Sequence, residues 1–385
     1  MKVLDDIRVL DLCHVWFGPW CCMMLADFGA EVIRIEPPWG AIDRAAEGAL
    51  KGGSSYTFHH LNLNKKSLTL NLKEPEGAEI FKELVKVSDV VVQNFSPGAM
   101  ERLGFGYDVL KELNPKVIYA ALSGFGQTGP YTKRRSYAMI AEAMSGHTRL
   151  TGESHDPEGP PIEMAQAYGD LGPGTMAAMS LLAALRYRDR TGKGQMIDVA
   201  QFDCMSAYNT AITAYLLFGM TPREIREKYP MGRGGIGGIL KTSDGGWVRL
   251  AGFGPRGMDK MKEWMEVEEP TKEMLEERVA SMTRDEAVDL FVGMGLPVAP
   301  IYHVNETIED PHLNARDMFV EVEHGKAGKL KLLNFPVKMT ESPGEVRTAS
   351  PVLAQHSREV LRELLGVSDE RFEELVKAGV TSKPM

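Results

Sequence analysis

Four short runs of aliphatic and β-branched residues punctuate the first 125 positions, with helical patterns between them. They are Arg8-Val-Leu-Asp-Leu12, Glu31-Val-Ile-Arg-Ile-Glu36, Asp89-Val-Val-Val-Gln93 and Val117-Ile-Tyr-Ala-Ala-Leu122. Trp20 to Phe28 reads as a helix stopped by Gly29. Pro37-Pro38 ends the second run. Pro75 to Lys86 is amphipathic, with Pro and Glu in its first turn. Strand–helix–strand alternation at this spacing requires a parallel sheet covered by helices. The expected fold class is therefore α/β.

The chain has 385 residues, more than one compact core usually holds. Residues 1–220 carry the alternating pattern and form the expected large domain. After about residue 220 the character changes to a glycine loop, strand-like runs around Asp244-Gly245 and a charged helical stretch from Asp259 to Ala287. Residues 225–320 are read as a smaller α+β domain, and residues 325–385 as a C-terminal segment with helices at Ser357–Leu365 and Asp369–Lys377. Net charge is −9, which argues against nucleic acid and anionic membrane as main partners. No window has the length and apolarity of a membrane span, and the amino terminus lacks a signal core. The four cysteines have no metal-ligand spacing and read as reduced thiols of a cytoplasmic protein. No metal and no tightly bound cofactor is expected.

Asp170 is the chief candidate for chemistry. It lies in the small-residue stretch Ala165-Gln-Ala-Tyr-Gly-Asp-Leu-Gly-Pro-Gly-Thr-Met176, which runs into an apolar helix from Met176 to Tyr187. No His, Lys or Arg stands within ten residues upstream. A carboxylate without a local cation suits a nucleophile better than half of an acid–base pair. An Asp just before a helix is also the usual N-cap, and the two roles can coexist.

Other motifs are weighed by context. Gly124-Phe-Gly-Gln-Thr-Gly129 matches a dinucleotide fingerprint, but Pro130-Tyr-Thr-Lys-Arg-Arg135 follows instead of an apolar helix start. It reads as a glycine-rich loop beside a ligand. The run 232–238 precedes a strand, so it is no phosphate-cradling loop; it allows close backbone approach or simply joins domains. Lys65-Lys66 with Lys73, Arg102, and Lys133-Arg134-Arg135 lie on loops near strand ends. Cations delivered there suit a polyphosphate such as the tail of coenzyme A. His14 either orients a ligand or satisfies backbone carbonyls. No HExxH, CxxC or GxSxG sequence occurs.

In this order the pieces resemble a class III coenzyme A-transferase, the family that includes formyl-CoA:oxalate and crotonobetainyl-CoA:carnitine CoA-transferases. The resemblance rests on Arg8 to Leu12 with Gly18-Pro19, Leu25-Ala-Asp-Phe-Gly-Ala-Glu-Val-Ile-Arg-Ile-Glu-Pro-Pro38, Leu63 to Lys73, and Asn94-Phe-Ser-Pro-Gly98 with Arg102. It continues through Ser123 to Pro130, Thr191-Gly-Lys-Gly-Gln195, Pro297-Val-Ala-Pro300 and Asp310-Pro-His312. It implies a Rossmann-like large domain completed by the C-terminal segment, a small domain, and ring-like subunits in an interlocked homodimer. It implies that Asp170 is the nucleophile. Coenzyme A, a substrate rather than a resident cofactor, would be bound by His14, Val15, Trp16, Phe17, Pro37, Leu70, Asn71, Leu72, Lys73, Asn94, Phe95, Ser96, Arg102 and Arg135. Gly234, Gly235, Gly237 and Gly238 would form a mobile loop over the aspartate. The partners implied are an acyl-CoA and a small carboxylic acid.

The sequence departs from the family pattern at Ala138, often acidic in relatives, and at Glu142, where Gln is common. Trp16 and Phe17 are bulkier than usual. Related 2-methylacyl-CoA racemases, the alternative activity, carry a His-Asp pair where this chain has Tyr137-Ala138. Without that base, two-sided proton exchange lacks a catalyst.

Overall fold

All four early runs form strands of one parallel sheet: β1 (Arg8–Asp11), β2 (Glu31–Glu36), β6 (Val90–Gln93) and β7 (Ile118–Ser123). Between β2 and β6 come the short hairpin β3 (Leu50–Lys51) and β4 (Ser54–Ser55), then β5 (Lys65–Thr69); β8 (Gln195–Ala200) closes the series. The computed structural model describes residues 2–46, 48, 50–228, 236–252 and 254–384. The sheet order is β5-β2-β1-β6-β7-β8, with every pairing parallel. Strands to either side of β1 wind outward in opposite directions, so the topological switch lies between β1 and β6. The fold is an α/β, Rossmann-like architecture.

Strand periodicity divides the core in two. Val9, Val32, Val90, Val92, Ile118, Ala120 and Leu122 face the helix Phe17–Asp27 and the long helix Tyr168–Thr191. Leu10, Ile33, Val91, Tyr119 and Ala121 face the opposite side, against the helices Pro75–Lys86, Tyr107–Leu113, Ser357–Leu365 and Asp369–Lys377. The edge strands are polar. Lys65 and Lys66 open β5 two residues before its apolar run, and β8 mixes Gln195 and Asp198 with its aliphatics. The helical pattern read as starting at Met176 begins eight residues earlier, at Tyr168, because small residues conceal its first two turns.

Residues 1–210 and 317–385 form one compact unit, and residues 211–316 a second. Within the second, β9 (Gly238–Lys241), β10 (Trp247–Leu250) and β11 (Val298–Pro300) make an antiparallel sheet in the order β11-β10-β9. Its core is built from Leu240, Val248, Leu250, Met261, Leu275 and Phe291. The C-terminal residues of the first unit add a hairpin, β12 (Phe319–His324) with β13 (Gly328–Leu333), then run along β5. The Ser67 and Thr69 amides donate to His356 Nδ1 and Ser357 Oγ, and Asn71 N–H donates to the Val380 carbonyl.

A buried chain of charges links β1, β2 and the amino end of β5. Arg34, with no solvent exposure, donates from Nη2 to both oxygens of Asp43 at 2.8 and 2.9 Å and from Nη1 to Asn62 Oδ1. Lys65 Nζ donates to Asp11 Oδ2, the Pro19 carbonyl and the same Asn62 oxygen. Arg44 forks onto Glu36 and stacks over Phe58 at 4.1 Å. Mutual attraction among these charges offsets a desolvation cost of several kcal/mol per ion. Asp43 Oδ2 also accepts the N–H of Val15, whose φ of 68° is left-handed, a costly conformation for a β-branched residue. The loop after β1 is thus held in shape by the buried charges. Asp43→Ala should cost about 3–5 kcal/mol in denaturant unfolding, because it removes the nearer counter-ion of buried Arg34 and leaves it only the longer pair with Glu36 at 3.6 Å. Hydrogen exchange should quicken at Val15 in the same variant.

Candidate active site

In open parallel sheets the ligand crevice opens beyond the strand carboxyl ends at the switch point. A cavity of about 550 Å³ lies at that place in the first unit. His14, Val15, Trp16 and Phe17 reach it from the end of β1; Asn94, Phe95, Ser96 and Arg102 from the segment after β6; Arg134 and Arg135 from the segment after β7. Asp170, from the first turn of the long helix, and Gln201, the first helical residue after β8, complete the wall described here. The loops after β1 and β6 are locked together across the switch. His14 N–H donates to Asn94 Oδ1 at 3.0 Å, Asn94 Nδ2 donates to the His14 carbonyl at 2.8 Å, and the His14 ring stacks on Phe95. Burial lowers the pKa of His14 and favours its neutral form.

Of the residues the family resemblance implied, Pro37 and Leu70, Asn71, Leu72 and Lys73 do not line this cavity. They follow β2 and β5, on the same edge of the sheet but farther from the switch. Gly237 and Gly238 sit at the start of β9 in the second unit. Gly234 and Gly235 lie outside the described residues. Lining residues that sequence reasoning did not assign a site role include Ser123, Tyr137 and Gln201, while Arg134 belongs to the basic group expected there. Gln201 follows a strand directly, so the strand-end rule would have found it had β8 been recognised.

The small residues around Asp170 have a steric cause. A side chain on Gly169 would place Cβ 2.5 Å from the Ala138 carbonyl oxygen, and one on Gly174 would lie 2.8 Å from the Phe17 carbonyl oxygen. Two neighbouring backbones therefore press against this helix at its start. Asp170 is not the N-cap. Ala167 holds that position, and Asp170 sits inside the first turn, where a carboxylate is still favoured by the helix dipole. It is buried, at 7% exposure. Its Oδ1 accepts a hydrogen bond from Gln201 Nε2. Burial pushes its pKa up to about 7, the Gln201 bond pulls it down, and the buried Glu142 carboxylate pushes it up further. Glu142 is fixed in turn by the Gly169 N–H, which donates to its Oε1 at 2.7 Å.

The cations at the cavity are differently placed. Arg102, Arg134 and Arg135 are exposed and form no ion pair among the described residues, while Arg134 stacks on Tyr131. They are available to an anionic ligand. Among the described residues, one group has the makings of a metal site, Asp11 with Cys13 and Cys22, buried under β1. Both Asp11 oxygens there are engaged, by Lys65 Nζ and by Cys13 N–H. All four cysteines are free and buried, and no described helix is long and apolar enough to cross a membrane.

Comparison with known proteins places this chain in a family. The model of CoA-transferase family III matches residues 4–357, and the chain belongs to that family. It is 34% identical to a formyl-CoA:oxalate CoA-transferase of Streptomyces coelicolor, over 98% of this chain and 99% of the relative. It is 33% identical to the succinyl-CoA–L-malate CoA-transferase beta subunit of Chloroflexus aurantiacus, over 97% and 96%. A CaiB/BaiF family protein from Brucella suis superposes with a TM-score of 0.82 at 30% identity, covering 94% of this chain and 99% of that one.

The raised pKa of Asp170 has a sign that stability measurements can read. The unfolded chain ionises this group near pH 4 and the folded chain near 7, so the folded state holds the proton longer. The ionisation-linked cost of its burial is therefore absent below about pH 4, grows up to about 7, and is fully present above. Asp170→Asn removes that cost. Its melting temperature should match the parent at pH 4 and exceed it at pH 8 by several degrees, at about 2–4 °C per kcal/mol.

Proposed function

We propose that this protein moves coenzyme A from an acyl-CoA donor to a carboxylic acid acceptor, with Asp170 as the covalent carrier. The observation that carries the reading is the buried Asp170 carboxyl in the wall of a cavity that also holds unpaired arginines. Asp170 attacks the thioester carbonyl, the C–S bond breaks, and an acyl-aspartyl anhydride forms as the thiolate leaves. The thiolate attacks the aspartyl carbonyl and gives an enzyme–CoA thioester, releasing the first acid. The acceptor carboxylate repeats the sequence in reverse. Family membership and relatives named for formyl-CoA with oxalate and for succinyl-CoA with L-malate support this cycle.

The residues divide the labour. Arg102, Arg134 and Arg135 take the phosphates of coenzyme A. His14 to Phe17 and Asn94 to Ser96 line the path of the pantetheine arm, with Pro37 and Leu70 to Lys73 serving the distal end. Anhydrides hydrolyse, so the site needs water kept out. The glycine loop 234–238 is assigned that covering role. The active form is read as an interlocked homodimer in the cytoplasm. The apolar helix Thr210–Phe218 supports an assembly, since it exposes Tyr215, Leu216, Leu217 and Phe218.

Asp170→Ala should abolish transfer and leave coenzyme A affinity within about threefold of the parent; transfer surviving in that variant removes Asp170 as carrier. Mixing the protein with succinyl-CoA and a panel of carboxylates, then reading new thioesters by mass spectrometry, identifies the acceptor. Arg102→Ala should weaken coenzyme A binding roughly 10-fold or more, the loss of one charge-assisted phosphate contact. Because the carboxylate must be ionised to attack, kcat should fall as pH drops through about 7. Light scattering should give twice the 42.5 kDa chain mass. α-Proton exchange in deuterated water with no acceptor acid would instead support racemisation.

A further inference from the structure

Two steps of the proposed cycle develop negative charge on an oxygen of Asp170 itself. They need a hydrogen-bond donor aimed at that oxygen. The first turn of a helix is the obvious source, but here its donors are committed. Gly169 N–H is held by Glu142 Oε1 at 2.7 Å, and the N–H groups of Asp170 and Leu171 both go to the Ala167 carbonyl at 3.0 Å. Glu142 thereby closes off the helix start as an anion site. What remains on the carboxyl is one side-chain amide. Gln201 is 4% exposed, opens the helix that follows β8, and shares the cavity wall with Asp170. A carboxylate only accepts hydrogen bonds, so the amide must present its NH₂ end. That end reaches Oδ1, while among the described residues no donor reaches Oδ2.

We infer that Gln201 is a catalytic residue: its Nε2–H stabilises the oxyanion that forms on Asp170 Oδ1 when a thiolate or carboxylate attacks the aspartyl carbonyl. The inference rests on Asp170 being the carrier. The unbonded Oδ2 attacks the thioester carbon; the C–S electron pair leaves with sulfur, Oδ2 becomes the bridging oxygen of the anhydride and Oδ1 its carbonyl oxygen. When thiolate adds to Cγ, the π electrons move onto Oδ1, against the Gln201 N–H. Collapse restores the Cγ–Oδ1 double bond, expels the acid with Oδ2, and leaves the aspartyl thioester. The same donor serves the reverse attack by the acceptor carboxylate. An amide suits this position because it carries no charge and leaves the carboxyl free to ionise.

The test compares Gln201→Leu, which removes the donor, with Gln201→Glu, which keeps the side-chain shape and replaces the donor by an acceptor at pH 8. Steady-state rates, coenzyme A affinity, thermal midpoint and the rate of enzyme–CoA thioester formation by intact-protein mass spectrometry are read for each. The expected result is a kcat lower by about 100–1000-fold. Coenzyme A affinity should stay within about threefold in both and the midpoint near the parent in Gln201→Leu, while Gln201→Glu, which buries a further carboxylate, melts lower; thioester formation should slow in proportion. Wild-type kcat in either variant overturns the inference. So does loss of coenzyme A affinity together with a collapsed midpoint in both, which would make Gln201 structural. Asp170→Asn run alongside separates the two readings. If it turns over, the carrier assignment falls; if it is dead while the Gln201 variants are fully active, only the Gln201 role falls.

Discussion

The guanidinium of Arg34, sealed from water, anchors the functional end of the sheet. It lies within β2 and holds both oxygens of Asp43 from a single nitrogen, Nη2. Through Asp43 it reaches the Val15 amide and keeps that residue in a backbone region it would otherwise leave. Through Asn62 it joins Lys65 and Asp11, tying β5 to β1. An apolar core could fill the same volume at similar stability. It could not hold a strained loop in one shape beside the cavity. The buried charges therefore account for the geometry of the loop rather than for the firmness of the fold.

The carboxyl at the other wall follows an opposite logic. Arg34 has its charge matched; Asp170 does not. Its neighbours are an amide and another carboxylate, and no described cation neutralises it. A matched carboxylate would be stable and a poor nucleophile. This one sits at the edge of ionisation near neutral pH, which fits a group that must be charged before attack and neutral when acylated.

The parallel sheet was legible because its central strands are continuous apolar runs, as burial on both faces requires. Its edges were not. β5 hides Lys65 in an internal ion pair that sequence displays as a surface lysine, and β8 alternates with polar residues. Asp170 was found from its surroundings, but its place in the helix was misjudged. Pro173 and three glycines in the first two turns look like a loop, although close neighbours demand the glycines: backbone at Gly169 and Gly174, the Tyr208 ring at Gly172. Gln201 was missed with β8, whose end it follows, and its meeting with Asp170 joins two segments 31 residues apart. The family resemblance supplied residues after β2 and β5 that this cavity does not reach, since one sheet edge can serve a long ligand at several points. Glu142 was noticed as a departure, while its bond to Gly169 was invisible without coordinates.

The covering of β5 has a consequence for biosynthesis. The amide of Thr69 finds its partner at Ser357, 288 residues later in the chain, and Ser67 and Asn71 depend on equally late residues. At ribosomal speeds of about 5–20 residues per second, that border of the sheet stays bare for on the order of tens of seconds. A nascent chain in that interval presents an open row of backbone groups to its neighbours on a polysome. Lys66, the partly exposed lysine of the strand, then acts as a warden, its charge discouraging intermolecular pairing until its late partner Glu359 emerges.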